Sequence, residues 1–171
     1  MTTRWEAIEK DTIDEIIFQP TKVRNRLILA RGGMRIGEVL KLRMKDLQGR
    51  KLILFEPKSG KEQEIVFIPQ NVADRLNLYA SGKCTKPDDR ISPITYEAAR
   101  AMVRKAGKMV AIHLRPHDLR RHSATYASRS GVPIEIVSKI ILRHSNFSTT
   151  QRYLGTVNDV EAMRWIENIY R

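Results

Sequence analysis

The chain has two strand-like runs, and they are neighbours. Lys51-Leu52-Ile53-Leu54-Phe55-Glu56 and Glu62-Gln63-Glu64-Ile65-Val66-Phe67-Ile68 are short and largely apolar, with Pro57-Lys58-Ser59-Gly60-Lys61 between them. Ser59-Gly60 suits a chain reversal, so the pair is predicted to close as a β-hairpin with a lysine at its tip or shoulder. Pro69 ends the second strand. The remaining periodic segments have helical spacing, so the expected architecture is mainly α with a small antiparallel β-sheet (α+β).

Residues 1–19 end in Ile16-Ile17-Phe18-Gln19 and read as a helix that Asp11 or Thr12 can cap and Pro20 stops. Thr21 can cap a second helix through Ala30. Gly32-Gly33 breaks the pattern, and Ile36, Val39 and Leu40 resume it with Arg35 at the helix start. A backbone bare of side chains at the diglycine lets another group approach closely. Residues 71–79 read as helix, 81–93 as a polar loop, and Thr95 caps a helix to about Lys108. Pro116 fits the first turn of the next helix, whose buried side is expected to be Leu119, Ser123, Tyr126 and Ala127, and Gly131 closes it. Pro133 opens another, with Ile134, Val137, Ile140 and Ile141 as its core stripe, running into His144. Asn146 and Ser148 restart the chain, and Tyr153 falls late in a short helix. Asn158 to Tyr170 is amphipathic through Val160, Met163, Ile166 and Ile169. No repeat or linker divides the 171 residues, so a single domain over 1–171 is expected.

Lys and Arg outnumber Asp and Glu 31 to 19, a formal charge of +12. The excess is spread through globular sequence rather than held in a tail, which points to a basic folded surface and a polyanionic partner, nucleic acid before membrane. No apolar run approaches the ~20 residues of a membrane span, and the first residues lack a secretory h-region. The lone Cys84 allows no internal disulfide and fits a reducing compartment. A cytoplasmic protein, nucleoid-associated when bound to DNA, is the expectation. Asp88-Asp89 has no third acidic ligand nearby in sequence and reads as a solvated pair rather than a metal site.

The chemistry is concentrated in Pro116-His117-Asp118-Leu119-Arg120-Arg121-His122. His117 and Arg120 lie one turn apart on one helix face. A second cluster, Leu142-Arg143-His144-Ser145, precedes Tyr153. Arginines, histidines and a phenol without clustered acids suit a phosphodiester site that works without metal or cofactor. A tyrosine nucleophile has an ordinary pKa of ~10, so a base or nearby cations must activate it. The guanidinium fork holds non-bridging oxygens, and histidine can move protons near neutrality.

These residues resemble the catalytic domain of the tyrosine recombinases, the lambda-integrase and Xer family. Gly33-Met34-Arg35-Ile36-Gly37-Glu38 is similar to its first arginine box, and Lys58-Ser59-Gly60-Lys61 to its hairpin lysine box. His117 to Arg120 matches His-x-x-Arg, Leu142-Arg143-His144-Ser145 the Leu-Gly-His-Ser box, and Thr149 to Tyr153 the Thr-Thr-x-x-Tyr box. The match runs over about 20–156.

The resemblance implies the recombinase catalytic fold, related to type IB topoisomerases, and metal-free DNA strand cleavage and rejoining through a 3′-phosphotyrosyl intermediate. It implies catalytic roles for Arg35, Lys58, His117, Arg120, His144 and Tyr153. Glu38 and Asp118 are supporting candidates, and Lys61, Arg121 and Arg143 possible DNA contacts; His122 is expected to pack under the site. Arg143 stands where the family has glycine, so it alters the turn or adds a DNA contact. The family's N-terminal core-binding domain is expected to be absent. The implied partner is double-stranded DNA, with a monomer alone, a homotetramer on DNA, and residues 157–171 as a segment exchanged between protomers. Rival expectations are type IB topoisomerase-like relaxation and a DNA-binding regulator that keeps the fold without activity.

Overall fold

A computed structural model describes residues 33–55, 57, 60–83, 86–154 and 159–169. The helices expected within 1–19 and 21–30, and Lys58 itself, lie outside the described residues. In chain order the elements are α1 (Ile36–Lys41), a 3-10 turn (Met44–Asp46), β1 (Leu47–Gln48), β2 (Lys51–Phe55), β3 (Gln63–Phe67), α2 (Gln70–Lys83), α3 (Tyr96–Met109), α4 (Pro116–Arg129), α5 (Ile134–Ile136), a π-helical turn (Val137–Ile141), α6 (Phe147–Leu154) and α7 (Asp159–Ile169). The expected mainly helical architecture with a small antiparallel sheet is what forms. Among the described residues no helix is long and apolar enough to cross a membrane.

The sheet has the order β1-β2-β3, antiparallel throughout, with Leu52 opposite Val66 and Leu54 opposite Glu64. Alternation sends Leu52, Leu54, Glu64 and Val66 inward and leaves Phe55, Ile65 and Phe67 exposed. β1 has only two residues, too few to show alternation in the sequence. The buried sheet face meets Met34 and Val39 from the α1 region, Leu76 of α2, Val103 of α3 and Leu119 of α4 in one apolar cluster. A second cluster joins Ala124 of α4, Val137 and Leu142 to Tyr153 and Leu154 of α6.

Three helical starts use one device. The backbone N–H groups of Arg35, Arg43 and Arg115 donate to Glu38, Asp46 and Asp118 at 2.9, 2.8 and 2.8 Å, each acid lying at the third helical position. In α3, Thr95 Oγ1 accepts from Ala98 N at 3.1 Å, and Ala99, Val103, Ala106 and Gly107 form the buried stripe. Asp88 pairs with Lys45 Nζ at 2.7 Å, and Asp89 accepts from Lys86 N at 3.0 Å.

Several boundaries differ from the expectation. α2 continues to Lys83, and Ser81 donates its hydroxyl to the Asn77 carbonyl at 3.0 Å inside the helix. The inward face of α4 is Asp118, Leu119, Arg120 and Ala124, while Tyr126 is exposed. The helix after Pro133 does not run into His144. It widens into the π turn, where Leu142 N donates to Val137 O and His144 N to Ser138 O, both at 2.9 Å. The extra residue in that turn leaves Ile140 exposed and ends the helix ahead of Arg143. In α7, Glu161 reaches Arg129 at 3.3 Å, while Val160, Met163, Ile166 and Ile169 are exposed.

The end of α3 sets up two opposite outcomes. Ala111 sits in the left-handed region at φ 56°, with Ile112 N donating to Gly107 O at 2.9 Å and Ala111 N to Lys108 O at 3.2 Å, the bonding of a Schellman C-cap. Glycine fits that position better, so Ala111→Gly is expected to stabilise the chain by about 1 kcal/mol. A Cβ on Gly107 would lie 2.6 Å from Leu114 Cβ and 2.7 Å from Ile112 O. Gly107→Ala is expected to cost about 2–3 kcal/mol. Urea denaturation of the two variants checks both signs.

Candidate active site

Arg120 is the largest fully buried side chain among the described residues, 1% exposed on α4. Its Nη1 donates to Gly33 O and its Nη2 to Leu142 O. One guanidinium therefore ties the segment leading into α1 to the turn that follows the π helix. Gly33 accommodates this with φ 60°, and a Cβ there would lie 2.8 Å from Ile141 Cγ2. The close approach expected at the diglycine is thus a three-way junction of Gly33, Ile141 and Arg120. Burial, Arg35 and Arg143 pull the Arg120 pKa down to about 10, so it stays charged at neutrality.

His144 lies beside this junction, with Nε2 3.4 Å from Arg120 Nη2. Its Nδ1 meets Thr150 Oγ1 at 3.0 Å, and Thr150 Oγ1 is 2.8 Å from Ser138 Oγ. Thr150 and Ser138 are fully buried. Each hydroxyl can both donate and accept, so the chain can support either imidazole tautomer. Burial and then the charges of Arg120, Arg35 and Arg143 push the His144 pKa down to about 4, which keeps the ring neutral at pH 7.

Tyr153, on α6, has its hydroxyl 2.7 Å from His117 Nε2. The rings of His117 and His144 approach the Tyr153 ring edge-on, with centroids 5.2 and 4.9 Å away, and the Arg121 guanidinium lies 5.1 Å from the ring centroid. The Tyr153 carbonyl accepts from Thr125 Oγ1 of α4 at 3.2 Å. Burial, followed by Arg121 and Arg120, lowers the His117 pKa below its ordinary 6.5. A neutral imidazole therefore faces the phenol, a pairing suited to proton transfer.

Arg35 begins α1, and its Nη1 donates to Glu38 Oε1 at 2.8 Å. With Arg115, His117 and Arg120 it lines a cleft of about 1170 Å³, whose wall also includes Arg43, Lys45 and Arg100. The structure thus brings Arg35, His117, Arg120, His144 and Tyr153 to one locality. Asp118 caps the start of α4, Lys61 is exposed on the hairpin, and His122 stacks on Tyr126 with centroids 6.0 Å apart.

The possible DNA contact at Arg143 is corrected. Its side chain is 4% exposed and paired with Glu38 at 2.5 Å and Glu64 at 3.0 Å, so the guanidinium faces inward. The Arg143 backbone lies in the left-handed region that glycine favours, at φ 53°. Glu64, Ser138, Thr125 and the carbonyls of Gly33 and Leu142 are the participants that sequence reasoning missed. Glu64 had a signal, since it is a carboxylate on the inward parity of a strand, where a buried cation must answer it.

Residues 6–158 match the phage integrase family. The chain is 30% identical over 159 residues to the tyrosine recombinase XerA of Saccharolobus solfataricus, covering 90% of this chain and 53% of that protein. It is 32% identical over 135 residues to a tyrosine recombinase of Pseudothermotoga lettingae, covering 74% of this chain and 46% of that protein. The chain spans about half the length of these curated relatives. In fold it is similar to the crystal structure of XerA recombinase, with TM-score 0.78 and 23% identity over 96% of this chain and 62% of that one. It is also similar to the catalytic domain of bacteriophage HP1 integrase, with TM-score 0.64 and 23% identity over 85% and 84% of the two chains. With a family match that spans most of its length, the chain belongs to the phage integrase family of tyrosine recombinases.

Proposed function

We propose that this chain is the strand-cleaving domain of a site-specific recombinase that acts on double-stranded DNA without a metal or cofactor. The observation that carries the reading is the 2.7 Å contact between the Tyr153 hydroxyl and a neutral His117, beside the buried Arg120. Family membership and the +12 charge support DNA as the partner.

The Tyr153 oxygen attacks phosphorus as His117 Nε2 takes the phenolic proton. Arg35 and Arg120 hold the non-bridging oxygens and stabilise the charge that develops there. As the phosphate takes over the Arg120 Nη2 donor that faces His144 Nε2, His144 turns to its Nε2–H tautomer, with Thr150 donating to Nδ1, and donates from Nε2 to a phosphate oxygen. The bond from phosphorus to the 5′-oxygen breaks, and Lys58 supplies that oxygen's proton. The products are a 3′-phosphotyrosine and a free 5′-hydroxyl. A 5′-hydroxyl from a partner strand then reverses the step and releases Tyr153. The exposed apolar face of α7 supports its passage to a neighbouring protomer, giving a homotetramer on DNA from a chain that is monomeric alone and works in the cytoplasm.

A library of nicked suicide duplexes, randomised on both sides of the nick and incubated in EDTA, tests the reading. A covalent protein–DNA adduct is expected for the wild type and none for Tyr153→Phe. No adduct from any duplex, or one that survives in Tyr153→Phe, overturns it. On a selected duplex, His117→Ala is expected to slow single-turnover cleavage by about 100-fold. Because the His117 pKa is depressed, the working neutral form persists below pH 6.5. The wild-type rate should therefore fall only at lower pH, and that acid limb should vanish in His117→Ala.

A further inference from the structure

Arg143 carries a permanent charge inside the protein, and the charge is answered from two directions. Nη2 donates to Glu38 Oε2 on α1 at 2.5 Å, and Nε donates to Glu64 Oε2 on β3 at 3.0 Å. The Glu38 and Glu64 side chains are 9% and 5% exposed. The planar fork can hold two carboxylates from different elements at once, which a lysine ammonium cannot do with the same geometry. Glu38 in turn holds Arg35, through Nη1 at 2.8 Å and the backbone N–H at 2.9 Å. Burial raises the Glu38 pKa, but Arg143 and then Arg35 outweigh it and hold the carboxyl below its ordinary 4.5. Glu64 sits on the strand that pairs with β2, in the hairpin whose connection contains Lys58. The Arg143 backbone belongs to the turn between Leu142, which accepts from Arg120, and His144.

We infer that Arg143 is a positioning residue. It fixes the phosphate-binding Arg35, through Glu38, and the β2–β3 hairpin, through Glu64, relative to the turn that presents His144. Its effect on cleavage rests on the recombinase reading, whereas the clamp itself does not. Arg143 touches neither Tyr153 nor the phosphate in this scheme and acts through the two carboxylates.

The test uses Arg143→Gly, whose backbone accepts φ 53° without strain, Arg143→Lys, and Arg143→Gly combined with Glu64→Gln, which removes the carboxylate left unpaired in the sheet. Single-turnover cleavage is measured at saturating selected duplex, well below the Tm of each variant, together with Kd for the same duplex. Arg143→Gly is expected to slow cleavage by about 10- to 100-fold and to leave Kd within about twofold. Arg143→Lys should recover only part of the rate. The combined variant should regain Tm without regaining rate. The losses in Arg143→Gly and Glu38→Gln should not multiply, because both act through one chain of contacts. A combined variant that recovers rate along with Tm, or losses that multiply, overturns the inference.

A second measurement needs no DNA. The Arg35 Nε–Hε signal in 15N-labelled protein is expected to shift and sharpen in Arg143→Gly as the side chain gains freedom. An unchanged Arg35 signal overturns the clamp whether or not the protein cleaves DNA. A wild type that forms no adduct overturns only the recombinase reading, and the Arg35 signal then decides the clamp.

Discussion

A buried arginine organises this domain. Arg120 gives its two terminal nitrogens to the carbonyls of Gly33 and Leu142, which come from the two segments that also deliver Arg35 and His144. Hydrogen bonds from a charged donor contribute about 1.5–3 kcal/mol each, and neither carbonyl would readily find another partner at that depth. The surrounding fold conforms to the fork. Gly33 adopts a positive φ, the helix before His144 widens by a residue, and α4 turns an arginine inward. Scaffold and site are one set of contacts here, so a change at Arg120 would disturb both.

Charge is handled differently on the two sides of the site. Arg143 is answered by Glu38 and Glu64, whereas the hydrogen-bond partners of Arg120 among the described residues are neutral carbonyls and an imidazole nitrogen. Burial, followed by the surrounding arginines, keeps His144 and His117 unprotonated, which preserves a proton acceptor beside Tyr153. On the proposed chemistry, the phosphate set against Arg35 and Arg120 supplies the counter-charge that the hydrogen-bond partners of Arg120 do not. Folding and anion binding are therefore linked, and an occupied site stabilises the folded chain by mass action.

The legibility of the sequence followed the range of each signal. The hairpin was visible because two apolar runs flank local turn residues, and α3 because a threonine cap precedes a regular stripe. His117, Arg120, His144 and Tyr153 could be picked out from short boxes with fixed internal spacing. Their mutual distances could not, because they depend on three segments meeting across the fold. The partners of Arg120 were hidden because backbone carbonyls carry no side-chain identity. The inward turn of Arg143 was missed because its partners, Glu38 and Glu64, are remote in sequence and only the strand parity of Glu64 hinted at a buried cation. The π turn left no trace, since Ile134, Val137, Ile140 and Ile141 also satisfy an ordinary helix.

The bond from Thr125 to the Tyr153 carbonyl has a mechanical meaning. It fastens the helix that carries the phenol to the helix that carries His117 and Arg120. On the proposed chemistry, the severed 3′ end is then moored through its own phosphate to the helix pair that cut it. The 5′ end is free to leave, while the 3′ end cannot drift from the groups that must later release it. Exchange then becomes a question of which 5′-hydroxyl arrives, and the moored end has no need to search.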